Sequence, residues 1–126
     1  MAEVVETKLY GNVKIVKIVG DADDTTLEFR PDEGKQWQVL DAWAYHNDST
    51  NRAIKWQYYD GTTTINKAVN SIGANSQWAL VRNISDTYLA AGPIYLSYDV
   101  YARVNVSVLT AGKLIVIEAL VMEFGT

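Results

Sequence analysis

The chain has 126 residues, no cysteine, and a formal net charge of -4 from 15 acidic and 11 basic side chains. That length suits one domain that can bury a core without covalent staples, and the missing cysteines exclude disulfides, thiolate metal sites and a cysteine nucleophile. The mild acidity, with no run of Lys or Arg, argues against a phosphate-backbone partner, so no nucleic acid is expected.

The first residues, Met1-Ala2-Glu3-Val4-Val5-Glu6, carry two acids where an export signal would carry bases. The longest apolar stretch, Leu114 to Ile117 and Ala119 to Met122 around Glu118, is far too short to cross a bilayer. A soluble protein made in the cytoplasm, with no membrane partner, is the expectation. Residues 1–8 read as a candidate N-terminal arm, and residues 9–126 as a single domain.

Along the chain the apolar period is close to two, as a half-buried strand requires. Residues 9–19 read as a strand or strand pair with a break at Gly11-Asn12. Residues 25–29 form a short strand ended by Arg30-Pro31-Asp32-Glu33-Gly34. Residues 36–46 form a long strand in which Trp37, Val39, Asp41, Trp43 and Tyr45 share one face, and Leu40, Ala42, Ala44 and His46 the other. A polar loop precedes the strand 53–59, and Asp60-Gly61 is a strong turn signal. Residues 62–69, 77–84, 94–98, 100–109 and 113–124 complete the set, with Ala111-Gly112 predicted to fold the last two into a hairpin. No segment has a convincing helical period, residues 66–75 coming nearest. Eight to ten strands at this spacing predict an all-β, antiparallel β-sandwich.

The last strand differs from the rest. Leu114, Val116, Leu120, Met122 and Phe124 line one face around the single charge Glu118, while Ile115, Ile117, Ala119 and Val121 line the other. A strand apolar on both faces must be covered on both. One face belongs to the core, so the other calls for a partner, most simply another copy of the chain. The adjacent Tyr58 and Tyr59 must point to opposite sides of their strand, which puts one of them outside as a further candidate interface residue.

Signs of catalysis are few. His46 is the lone histidine and stands beside Asp48, but no nucleophile motif accompanies it. Asp21, Asp23 and Asp24 only partly resemble a calcium loop and read as a solvated turn. Asp41, Glu28, Glu118 and Asp99 could face inward, but nothing pairs them as glycosidase carboxylates. No phosphate loop, zinc set or dinucleotide fingerprint occurs. A non-enzymatic protein without cofactor or metal is expected. Asn-x-Ser triplets at Asn47, Asn83 and Asn105 read as chance matches. The aromatic content is the most distinctive feature. Trp37, Trp43 and Trp56 are expected in the core or at a subunit interface, and exposed aromatics would suit a carbohydrate-binding module instead.

From Gly34 to Gly61, a Gly-containing turn precedes the Trp37-x-Val39 strand. The polar loop Asn47-Asp48-Ser49-Thr50-Asn51 then leads to a strand ending in Asp60-Gly61. Together with Ser76-Gln77-Trp78-Ala79-Leu80, Ala91-Gly92-Pro93-Ile94-Tyr95-Leu96 and a closing hairpin, this resembles small tailed-bacteriophage virion proteins. The resemblance implies a jelly-roll-like sandwich acting as a capsid decoration (cement) protein, or as a tail or fibre component. It also implies a homo-oligomer, a trimer foremost, bound to the major capsid protein in the virion. The arm, with Val4, Val5 and Leu9, would add a strand to that partner.

Overall fold

The computed structural model describes residues 2–82, 90–91 and 94–125. The alternating segments form β1 (Glu3–Tyr10), β2 (Val13–Gly20), β3 (Thr26–Phe29), β4 (Lys35–His46), β5 (Arg52–Tyr59), β6 (Thr64–Ile72), β7 (Ser76–Arg82), β8 (Ala90–Ala91), β9 (Ile94–Ser97), β10 (Tyr101–Val106) and β11 (Ile115–Gly125). A seven-stranded sheet runs β1-β2-β11-β4-β7-β8, with β9 paired to β4, and a four-stranded sheet runs β3-β10-β5-β6. The pairings are antiparallel apart from the short β7–β8 contact. The chain changes sheet at most of its connections, leaving β2, β11, β4 and β7 facing β3, β10, β5 and β6. This is the strand order of a jelly roll.

The core lies between the sheets. Ile115, Ile117, Ala119 and Val121 of β11, with Val16 and Ile18 of β2, meet Leu27, Phe29, Ile54, Trp56 and Val104 from the opposite sheet. Phe29 stacks on Trp56 with ring centroids 5.5 Å apart. Trp56 and Trp37 are both buried, as expected.

β1 forms a hairpin with β2 across Gly11, whose φ of 58° suits a residue without a Cβ. It lies beyond the cover of the smaller sheet, and every one of its side chains is exposed. Lys14 of β2 ties it down by pairing with Glu6, and also reaches Glu123 at 2.7 Å, which accepts the indole N–H of Trp37 at 2.8 Å. Burial opposes the Lys14 charge, but the hydrogen bonds to Glu123 and Glu6 outweigh it and raise its pKa above the ordinary value. Burial likewise opposes the Glu123 charge. Its bonds from Lys14 and Trp37 prevail and lower its pKa.

Two expectations need correcting, and the expectation of no helix holds even in the segment that came nearest to one. The last two strands are not a hairpin: β10 pairs with β3 and β5, whereas β11 pairs with β2 and β4. The Gly112 turn, at φ 83°, instead sits in a crossing between sheets, and Leu109 from that crossing joins the core. The segment nearest to helical spacing is strand β6. There the register with β5 shifts at Lys67, so Ile65, Ala68, Val69 and Ile72 mimic a helical period that a bulge produces. Finally, β4 does not keep one alternation. Val121 opposes Val39 and Leu120 opposes Asp41, which leaves Leu40 as an extra residue. Before this bulge Trp37 and Val39 point into the core. After it Ala42, Ala44 and His46 do, and Trp43 and Tyr45 turn outward.

Asn83, Gly92 and Pro93, on which some of the sequence readings fall, lie outside the described residues.

Candidate functional site

The two outer faces of the sandwich differ in chemistry. The four-stranded sheet shows Thr26, Glu28, Lys55, Gln57, Asn66, Arg103 and Asn105, an ordinary polar surface. The seven-stranded sheet shows cross-strand rows of aromatic and aliphatic side chains. Reading the registers across β1, β2, β11, β4 and its neighbours, one row is Tyr10, Val13, Met122, Gln38 and Tyr95. Phe124, Gln36 and Ser97 lie below it. Above it come Thr7, Ile15, Leu120 and Asp41, then Val5, Lys17, Glu118, Trp43 and Ala79, then Glu3, Val19, Val116, Tyr45 and Gln77.

This face divides at Leu120. The half toward Phe124 carries no formal charge in the rows just named. Val13, Ile15, Leu120 and Met122 are half-buried there, and Phe124 is 43 % exposed. The half toward Tyr45 mixes exposed rings with polar groups. Trp43 is 40 % and Tyr45 39 % exposed. The Trp43 indole N–H donates to Asp41 Oδ2 at 3.2 Å, and the Tyr45 hydroxyl donates to Asn75 Oδ1 at 2.8 Å. A concavity of about 430 Å³, lined by Ile15, Asp41, Trp43, Gln77, Glu118, Ala119 and Leu120, lies in this half.

The residues singled out from the sequence fall into three places. Val116, Leu120, Met122 and Phe124 lie together on this face, and Leu114, 42 % exposed, precedes β11 at its upper end. Val4, Val5 and Leu9 are exposed on the edge strand β1, where only Val5 joins the outer rows. Tyr58 and Tyr59 belong to the other sheet and do not join the β11 strip. Tyr58 packs against the core, while Tyr59 lies on the polar face under the Arg103 guanidinium at 4.0 Å and donates its hydroxyl to Gly61 O. The residues that sequence reading missed are Trp43, Tyr45 and Gln77. Counting in twos from Trp37 placed the first two with the core tryptophan, and no Gly or Pro flags the Leu40 bulge.

His46 and Asp48 are the buried polar residues among those described, and both serve the framework. The imidazole Nε2 faces the Ile72 carbonyl at 3.0 Å, and Nδ1 accepts the Asp48 N–H at 3.2 Å. An Nδ1 that accepts a backbone N–H leaves the proton on Nε2, so both ring nitrogens are engaged by main chain. The Asp48 carboxylate accepts Thr110 N–H at 2.8 Å, the Thr110 hydroxyl at 3.0 Å and Arg52 Nε at 2.9 Å. The Thr110 backbone bond, with help from Arg52, holds its pKa well below the usual carboxylate range against the cost of burial. Asp21 and Asp24 accept backbone N–H groups of their own turn, and among the described residues no group of His, Asp or Glu is arranged to hold a metal. No helix among the described residues is long and apolar enough to cross a membrane.

Comparison of the chain with protein-family models finds no match, and comparison with curated protein sequences finds none.

Proposed function

We propose that the chain is a structural subunit of a bacteriophage virion, a decoration protein that self-associates and stabilises the head by binding the major capsid protein. The observation that carries this reading is the charge-free half of the large sheet's outer face, where Val13, Ile15, Leu120, Met122 and Phe124 stay partly open to water. Burying them against a second copy removes apolar area from water at roughly 25 cal/mol per Å². One apolar half-face per subunit suits a closed homo-oligomer in which that patch meets its own copy better than an open chain of contacts, and the trimer that the resemblance favours would need a second, complementary patch on each subunit. Jelly rolls serve in viral capsids, among other roles, and this is support by fold analogy only. The exposed outer edge of β1 is suited to pairing with a strand of the capsid protein.

Sedimentation velocity on the full chain tests the reading. The wild type is expected to run as an oligomer, and Leu120→Lys with Met122→Lys as a monomer with unchanged circular dichroism. The same double variant should fail to co-sediment with heads stripped of decoration protein. A wild type that remains monomeric at the highest concentration it tolerates sinks the proposal.

A further inference from the structure

The other half of the same face points to a second role. We propose that Asp41, Trp43, Tyr45, Gln77 and Glu118 form a binding site for a neutral hexose oligosaccharide, which meets the apolar strip at Ile15 and Leu120. Sugar recognition needs an aromatic surface for the apolar C–H face of the ring and acceptors for its hydroxyls. Trp43, Asp41, Gln77 and Glu118 supply both within one concavity, and Tyr45 adjoins it in register with Gln77. Its volume falls in the range typical of small-ligand sites, about 300–1,000 Å³.

Three features go beyond mere exposure of rings. Each aromatic is tethered by its polar end, Trp43 to Asp41 and Tyr45 to Asn75, so the platform is ordered before any ligand arrives. Pre-ordering removes an entropy cost from binding. The second carboxylate oxygen of Asp41, Oδ1, is enclosed and, among the described residues, has no hydrogen-bond partner. A shielded acceptor without a donor is costly, so a turn of the Asp41 side chain that brings this oxygen to a ligand hydroxyl at the concavity relieves that cost. Glu118 is in register with Lys17 across β2 and with Trp43 across β4, whereas Asp41 is in register with Leu120. Carboxylates at the site disfavour uronic acids, sialic acids and phosphates, and so select neutral hydroxyl-rich ligands.

The test is titration of the full chain with cellohexaose, mannohexaose and, as an anionic counterpart, polygalacturonate. Saturable binding of a neutral hexaose is expected, with the Trp43 indole N–H resonance among the largest chemical-shift changes. Trp43→Ala and Asp41→Asn should each weaken binding by about tenfold or more, as when an anchor is truncated, and Trp43→Phe by less. The wild-type shift map decides the matter if a variant fails to fold. Binding by neither hexaose, equal binding of polygalacturonate, or shifts remote from Trp43 and Tyr45 would overturn the proposal. So would a Trp43→Ala variant that binds normally, or one whose only defect is altered sedimentation, which would mean a protein occupies the site. The assembly reading fails separately: Met122→Lys with Phe124→Lys, both outside the residues that line the concavity, should bind the hexaose as the wild type does, whatever its sedimentation.

Discussion

Asp48 does more for this fold than its place in a polar loop suggests. It joins two segments distant in sequence to its own, since Thr110 N–H bonds its carboxylate and Asn75 N–H bonds its carbonyl at 2.8 Å, while Arg52, four residues on, also bonds the carboxylate. A carboxylate with a depressed pKa stabilises the fold fully above its ordinary value of 3.8, and that contribution fades as the pH falls below it. Asp48→Asn keeps the shape but loses the charge that Arg52 faces. The variant should melt below the wild type at neutral pH, and the gap should narrow as the buffer is taken below pH 3.8. Thermal melts across an acid series check this, and a gap that widens in acid would refute it. His46 and Asp48 stood out in the sequence as a pair. Their structural use was hidden, because the partners Ile72 and Thr110 come from segments whose approach only the jelly-roll crossing creates.

At the scale of the strand, the alternation of side chains identified nearly every element, because a period of two survives wherever a strand is regular. It misled wherever a residue was added. Leu40 in β4 and Lys67 in β6 each reverse the inward face of the strand beyond them, and neither is a residue type that announces a bulge. β4 gave no warning of its own, since by simple alternation its aromatic residues fall together on one face and its alanines on the other. The consequence for the candidate site is direct, as the outward position of Trp43 and Tyr45 depends on one extra residue. Deleting Leu40 should therefore drive Trp43 and Tyr45 toward the core and expel Ala42, Ala44 and His46. Space vacated by alanines cannot hold those rings without overpacking, which costs about 1–3 kcal/mol per inserted group. The deletion should lose cooperative unfolding and soluble expression, while Leu40→Ala, which keeps the count, should retain both. Circular dichroism melts of the two variants make the comparison.

At the scale of the molecule, the two sheets are unequal partners, and the difference sets what association should do to stability. The four-stranded sheet covers β2, β11 and β4 on one side and offers water a polar back. The seven-stranded sheet has an apolar back, so a lone copy leaves a face with the chemistry of a core partly exposed. The two-sided apolar character of β11 was legible in the sequence, because burial on one face could be inferred from its neighbours and the second face had no charge beyond Glu118. Which residues of other strands share that back was not legible, since it depends on registers set by bulges and crossings. If self-association hides the charge-free half, folding and assembly are linked by mass action. Each tenfold rise in protein concentration then adds about 1.4 kcal/mol to a dimeric contact, which for a chain of this size moves the melting midpoint by roughly 2–6 °C. The wild type should show that climb in melts at graded concentrations, and Leu120→Lys with Met122→Lys should give one midpoint throughout. Trp43→Ala, which touches only the mixed half, should climb with the wild type. A wild-type midpoint independent of concentration, above the range where sedimentation detects oligomer, would show that the apolar back is tolerated by a single copy and that its rows serve some other ligand.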